Sequence, residues 1–162
     1  MTASSQLKKQ VAEEVDRLCH IARATFEQSF PTPAVTFRRS GKNAGTAFLQ
    51  QHRVNFHPVL LAANAGAYFD EVIAHEVAHL LVFRLFGRVK PHGSEWQSVM
   101  RNVFHTEPST THNFDLTPLQ LKTFAYRCQC GPIALSTRRH NNVSKGNQYR
   151  CKTCKEIIRR QP

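Results

Sequence analysis

The sequence predicts an α+β protein of two modules, and three observations carry that prediction. A long amphipathic stretch near the N-terminus and a second, more apolar one over about 67–86 both have helical periodicity. Between them lie three short runs of alternating apolar and polar residues, the pattern of strands. The last 46 residues hold two close cysteine pairs and nearly all of the excess positive charge.

In order along the chain, Leu7, Val11, Val15, Leu18, Ala22 and Phe26 recur at steps of three and four and mark one face of a helix from about Ser5 to Ser29. Pro31 and Pro33 end it. Cys19 lies beside the apolar stripe and reads as a buried thiol. Val35-Thr36-Phe37-Arg38, Thr46-Ala47-Phe48-Leu49 and Arg53-Val54-Asn55-Phe56-His57 are separated by turn-forming residues and predict a three-stranded antiparallel meander. Val59 to Ala63 reads as a short helix after Pro58. From about Ala67 to Phe86 a broad apolar face (Phe69, Val72, Ile73, Val77, Leu80, Leu81, Leu85) predicts a helix, with Gly87 in the left-handed position past its end. Ser94 to Phe104 reads as a further helix. Thr106 to Pro118 lacks periodicity and is rich in Thr, Ser, Pro and Asn, so it reads as a linker between a body, 1–116, and a small module, 117–162.

A hydrophobic content of 41% argues against disorder. A unit of fewer than fifty residues, however, needs a metal or disulfides to hold its fold. The first ten residues are polar, no apolar signal stretch follows them, and no run approaches the roughly 20 residues of a membrane span. The expectation is therefore a cytoplasmic protein with no membrane partner, in a reducing compartment where cysteines bind metals more often than they pair. Residues 117–162 carry ten Lys/Arg against one acid, +9 of the total +11. Such asymmetry suggests a basic module for nucleic acid on a near-neutral body.

The chemistry centres on His75-Glu76-Val77-Ala78-His79. Histidines four apart on a helix project from one face and can chelate one metal. Neutral imidazole is a common zinc ligand, and a catalytic site keeps one position open for water. Glu76, next to the first ligand, can act as general base over that position. A third ligand is needed. The metzincin continuation is excluded because Val82 and Leu85 stand where Gly and His would be required. His92, in the tight turn Lys90-Pro91-His92-Gly93, is favoured, and Glu95 in the first turn of the next helix is the alternative. His20, His52, His57, His105 and His112 are scattered and read as surface or hydrogen-bonded histidines. Tyr68 and Tyr126 are candidate oxyanion stabilisers by chemistry alone.

Cys128-Gln129-Cys130 and Cys151-Lys152-Thr153-Cys154 flank an insert of twenty residues, which suits a tetrahedral thiolate site for a structural zinc in a small β ribbon. The first pair is one residue tighter than usual, and His140 could replace a cysteine. Arg138, Arg139, Lys145, Arg150 and Lys152, with His140 and Tyr149 among them, set cations beside an aromatic. That surface suits phosphate contacts and base stacking without sequence readout, hence DNA that is single-stranded or bound without sequence specificity.

The motif helix, with Phe86-Gly87-Arg88-Val89, Pro91-His92-Gly93 and Trp96 after it, resembles the SprT family, bacterial relatives of the Spartan proteases. The likeness extends through Asn43-Ala44-Gly45-Thr46-Ala47, Pro58-Val59-Leu60-Leu61, Tyr126-Arg127-Cys128, Arg138-Arg139-His140-Asn141 and Tyr149-Arg150-Cys151. It implies a minimal zincin-like metalloprotease fold followed by a zinc ribbon, zinc on His75, His79 and His92, and a catalytic Glu76. Two zinc ions are thus expected, one catalytic and one structural. The expected function is a zinc-dependent endopeptidase acting on DNA-associated proteins, with an extended substrate adding along a free sheet edge. The alternatives are a DNA-associated regulatory protein with little peptidase activity and a zinc hydrolase of a non-peptide amide.

Overall fold

The computed structural model describes residues 2–39, 41–111 and 114–161. The chain divides into two compact units, Met1–Leu119 and Gln120–Pro162. His112 lies outside the described residues.

The first unit begins with α1 (Ser5–Phe26), capped by Ser4, whose Oγ accepts the Leu7 N–H at 3.1 Å. Val11, Val15, Leu18, Cys19 and Ala22 are its buried face. It ends at Glu27, which takes the left-handed conformation (φ 50°), a little before the prolines. Arg23 draws the departing chain back by donating to the Phe30 carbonyl at 2.8 Å.

Three strands follow: β1 (Ala34–Thr36), β2 (Gly45–Phe48) and β3 (Arg53–Phe56). They are not a meander. The order is β1-β3-β2, with β2 antiparallel and β1 parallel to the central β3. Period-two alternation assigns faces to a strand but not neighbours, so the pattern could not distinguish the two arrangements. The buried Asn55 decides it. Its Oδ1 accepts from Thr36 Oγ1 and the Arg38 N–H, both at 2.9 Å, and its Nδ2 donates to the Arg38 carbonyl at 3.0 Å. These bonds fasten β1 and Arg38 after it to β3, and β2 pairs with the other edge of β3. β2 is consequently an edge strand, and it packs against the motif helix.

That helix is assembled in steps. After α2 (Pro58–Ala63) come α3 (Ala65–Ala67), a π turn over Tyr68–Val72, and α4 (Ile73–Phe86). α4 packs on both α1 and β2, so it is buried on most sides, including at His75, Glu76, Val77 and Ala78. Gly87 ends it at φ 71°, a value available to glycine at little cost. α5 (Ser94–Ser98) continues into a second π turn, Val99–Val103. The stretch expected to be a linker is largely part of this unit: Phe114, Leu116 and Leu119 pack on its core, and the Phe114 ring stacks on Tyr68 with centroids 5.7 Å apart. No helix among the described residues is long and apolar enough to cross a membrane.

The second unit is an antiparallel sheet in the order β5-β4-β6, formed by β4 (Thr123–Cys128), β5 (Gly131–Ser136) and β6 (Arg159–Arg160). The insert between the cysteine pairs is not all strand, because α6 (Thr137–Ser144) follows β5. Its sequence is a poor helix former, and tertiary packing compensates. The His140 ring stacks on Phe124 with centroids 3.6 Å apart, and Tyr126 Oη lies 3.0 Å from His140 Nδ1.

Candidate metal centre

His75 and His79 are one turn apart on α4, and the turn before α5 brings His92 to them. The Nε2 atoms of the three rings are 3.0 to 3.1 Å from one another. Zinc bound tetrahedrally at about 2.05 Å would set its nitrogens about 3.3 Å apart, close to this arrangement. Three nitrogens converging on one point are poor company for each other without a cation, so the donor set fits a metal. Burial lowers the pKa of His79 to about 4, helped by the neighbouring His92, and burial also lowers that of His92. Neutral imidazole is the form that donates to a metal.

Each ring is held from behind. His75 Nδ1 is 3.2 Å from the Ser109 carbonyl, which accepts its N–H and makes Nε2 the ligand atom. The Trp96 indole packs against all three imidazoles, with centroids 4.7 to 5.6 Å away, and its N–H donates to the His75 carbonyl at 3.3 Å. His92 sits at φ 57° in a turn closed by the Gly93 N–H on the Lys90 carbonyl (3.0 Å). The Gln97 amide then holds the His92 carbonyl at 3.1 Å. Glu95, the other candidate ligand, is not in the cluster. It lines a separate cleft with Phe26, Phe86 and Val99.

The Glu76 side chain is buried, 6% exposed, and runs beside β2. Burial pushes its pKa up to about 8, opposed by a hydrogen bond from the Ala47 backbone. Two clefts flank the nitrogen cluster. One of about 570 Å³ lies on the Glu76 side, among Asn43, Gly45, His75 and Thr110. The other, about 430 Å³, lies on the His79 side among Phe48, Val82, Phe83, Val89 and Trp96. His92 lines both.

Neither tyrosine offers a spare hydroxyl. Tyr68 is fully buried and donates to the Ala44 carbonyl at 2.9 Å, with the His57 carbonyl at 3.3 Å, so it braces the entrance to β2. Burial first, and the Glu76 charge second, raise its pKa. The Tyr126 hydroxyl is engaged with His140. Among the scattered histidines, His57 is buried and caps α2 through Nδ1, and His52 Nε2 bonds the Pro31 carbonyl at 2.7 Å.

In the second unit the four Sγ atoms of Cys128, Cys130, Cys151 and Cys154 lie within 4.8 Å of one another. The tight first pair has a simple cause: Cys128 pairs with Gly131, so Gln129-Cys130 is a two-residue hairpin turn that swings the second sulfur back to the first. The backbone N–H groups of Cys154 and Thr153 favour the Cys151 thiolate and bring its pKa down to about 6. Hydrogen bonding to Cys154 pushes Cys130 up to about 12. Sulfurs sharing protons in this way are a donor set from which a metal displaces those protons, and four of them suit zinc. His140 is outside the group, its ring committed to Phe124. Cys19 is a buried lone thiol in α1.

The basic residues singled out in the sequence are all at or near the surface. Arg138 and Arg139 are on α6, with Arg139 over the Tyr149 ring at 5.9 Å. Arg150 donates to the Lys155 carbonyl at 3.2 Å, and the Lys152 carbonyl accepts from Lys155 Nζ at 2.7 Å.

Comparison with known proteins follows the same residues. A family model described as the SprT-like family matches residues 15–112, a span that includes His75, Glu76, His79 and His92. Protein SprT of Shewanella oneidensis is 48% identical over 149 residues, covering 91% of this chain and 96% of the relative. Protein SprT of Pasteurella multocida is 42% identical over 159 residues, covering 97% and 96%. No solved structure matches the chain. With a matched model across the histidine cluster and relatives aligned nearly end to end, the chain belongs to the SprT-like family.

Proposed function

We propose that the chain is a cytoplasmic zinc-dependent endopeptidase that cuts DNA-associated proteins, its basic cysteine module supplying the nucleic-acid contact and a second, structural zinc. One observation carries the catalytic reading: the buried Glu76 carboxylate lies against edge strand β2, next to three converging imidazole nitrogens. A site that only stored or sensed metal would gain nothing from burying a carboxylate there, since burial disfavours its charge.

Zinc in this site supplies Lewis acidity, polarising a carbonyl and acidifying a water molecule. His75, His79 and His92 would hold it, and Trp96 with the Ser109 and His92 backbone contacts keeps their rings aimed. Glu76 takes a proton and returns it to the leaving amine. β2 offers a free edge along which an extended chain can add, and the clefts on either side of the cluster leave room for that chain in both directions. The apolar floor of the His79-side cleft suits a bulky apolar side chain near the scissile bond. A four-thiolate site fits a reducing compartment.

The test is incubation of the zinc-loaded full chain with a DNA-bound protein, an unstructured protein with and without single-stranded DNA, and a panel of non-peptide amides. Peptide-bond cleavage stimulated by DNA and lost in Glu76→Gln is the expected result. DNA binding without cleavage would mark a regulatory protein, and turnover of the non-peptide amides alone would mark a different hydrolase.

A further inference from the structure

The second unit has a sheet with one covered face and one open face. Along β4, Phe124, Tyr126 and Cys128 turn inward, while Thr123, Ala125 and Arg127 are exposed. α6 covers the inward face, through His140 on Phe124 and Tyr126. Arg127 therefore stands on the face away from α6.

Directly opposite Arg127, on β6, is Arg159. Residues opposite each other on one face of an antiparallel pair have Cβ atoms about 5 Å apart, and like charges there are destabilising. Among the described residues no carboxylate forms an ion pair with either arginine. The ion pairs among the described residues are all in α1. Glu156 is the unit's one acid, and it lines the same cleft. Its Oε2, however, accepts the Gln129 N–H at 2.6 Å. Arg127 and Arg159 thus stand side by side and both line a cleft of about 500 Å³, whose remaining wall includes Glu156 and the hydrogen-bond donors Arg160, Gln129 and Gln161.

We propose that Arg127 and Arg159 form a phosphate clamp that takes the sugar–phosphate backbone of a single-stranded nucleic acid on the open face of the ribbon. The planar fork of arginine matches phosphate oxygens, and two forks side by side match a backbone better than a lone anion. No aromatic residue lines this cleft, so it grips phosphates and does not stack bases. Stacking belongs to the other face, where Arg139 and Tyr149 lie. The clamp rests on the reading that this module meets nucleic acid, but it relocates the principal contact from Arg138 and Arg139 to residues the charge pattern did not single out. Cys128 is in the cleft wall, so the clamp is also built on the zinc-ligand hairpin.

The experiment uses the zinc-loaded full chain and a fluorescent single-stranded oligonucleotide across a salt series. Arg127→Gln with Arg159→Gln should weaken binding about tenfold or more and flatten the slope of log affinity on log salt by about 0.7 to 1.4, one or two phosphate contacts on a single strand. Zinc content should stay at the wild-type level, and thermal stability should be equal or higher, because a like-charge pair has been removed. Arg138→Gln with Arg139→Gln should cost less affinity. Wild-type affinity and slope in the first variant, with the loss confined to the second, would overturn the clamp. If the unmodified chain binds no oligonucleotide, the nucleic-acid reading fails separately, and titration with inorganic tripolyphosphate then judges the clamp. Heat of binding that disappears in the Arg127/Arg159 variant keeps it as an anion site, and no binding removes it.

Discussion

Gly45 and Glu76 occupy one space: a Cβ at position 45 would lie 2.6 Å from both Cγ and Oε1 of Glu76. The carboxylate of the motif helix is thus seated against a strand position that has no side chain, and the next residue but one, Ala47, supplies its backbone hydrogen bond. Gly45 is a strand residue with no positive φ, so the space, not backbone freedom, is what requires glycine.

Gly45→Ala should therefore displace Glu76 while leaving the three histidines alone. Turnover is expected to fall by about 10²-fold, towards the 10²–10⁴-fold loss expected of Glu76→Gln, with KM little changed. Zinc content of both variants should match the unmodified chain. An alanine variant with full activity would mean that Glu76 works from another position.

The ligand assignment separates His92 from Glu95. Elemental analysis of the zinc-replete, reduced chain should return two zinc ions. His92→Ala should retain the cysteine-site zinc and lose the other at moderate chelator concentration, whereas Glu95→Ala should retain both. The reverse pattern would place Glu95 in the site and require the turn at Lys90–Gly93 to rearrange.

Much of this site is readable in the sequence because its geometry is local. The phase of one helix brings His75 and His79 together, and a four-residue turn aims His92. Glu95 could not be dismissed by such reasoning, since its direction depends on how α5 packs beside Phe26 and Phe86. The order of the first sheet was hidden for a related reason: Asn55 is a polar residue in an apolar strand, and only its bonds to Thr36 and Arg38 show what it selects. α6 is a weak helix made by its contact with Phe124. The supposed linker did carry a signal, the apolar Phe114, Leu116 and Leu119, but composition outweighed it. Ser109, which orients His75 through its carbonyl, leaves no trace in side-chain chemistry at all.

Trp96 gives a spectroscopic handle on one metal site alone. It is the chain's single tryptophan, fully buried, and it touches His75, His79 and His92. Loading the histidine site should change its emission, and loading the cysteine site should not. Cobalt titration should show two absorption features, of which only the nitrogen-ligated one tracks the fluorescence. In His92→Ala the fluorescence response should disappear while the thiolate-to-cobalt band persists. A response that instead follows the thiolate band would detach Trp96 from the metal centre.

The five cysteines should divide four to one. Cys19 is fully buried in α1, and burial pushes its pKa up to about 12, only partly opposed by the charge of Arg23. The sign follows directly: a thiol whose folded pKa is raised favours the folded state below the ordinary thiol pKa, and that contribution is lost as pH rises from about 9 towards 12. Near neutral pH such a thiol holds far less thiolate than an unperturbed cysteine, and thiolate is the reactive form. Removing the metal from so small a unit undoes the fold that holds the Cys130 pKa high, so iodoacetamide applied to the metal-stripped chain should add four groups quickly, at Cys128, Cys130, Cys151 and Cys154. The fifth should appear only when α1 is unfolded with denaturant. The zinc-loaded chain should label more slowly at those four and not at all at Cys19. Intact mass spectrometry reads each count, and five adducts at one common rate on the stripped native chain would show that α1 does not bury its thiol.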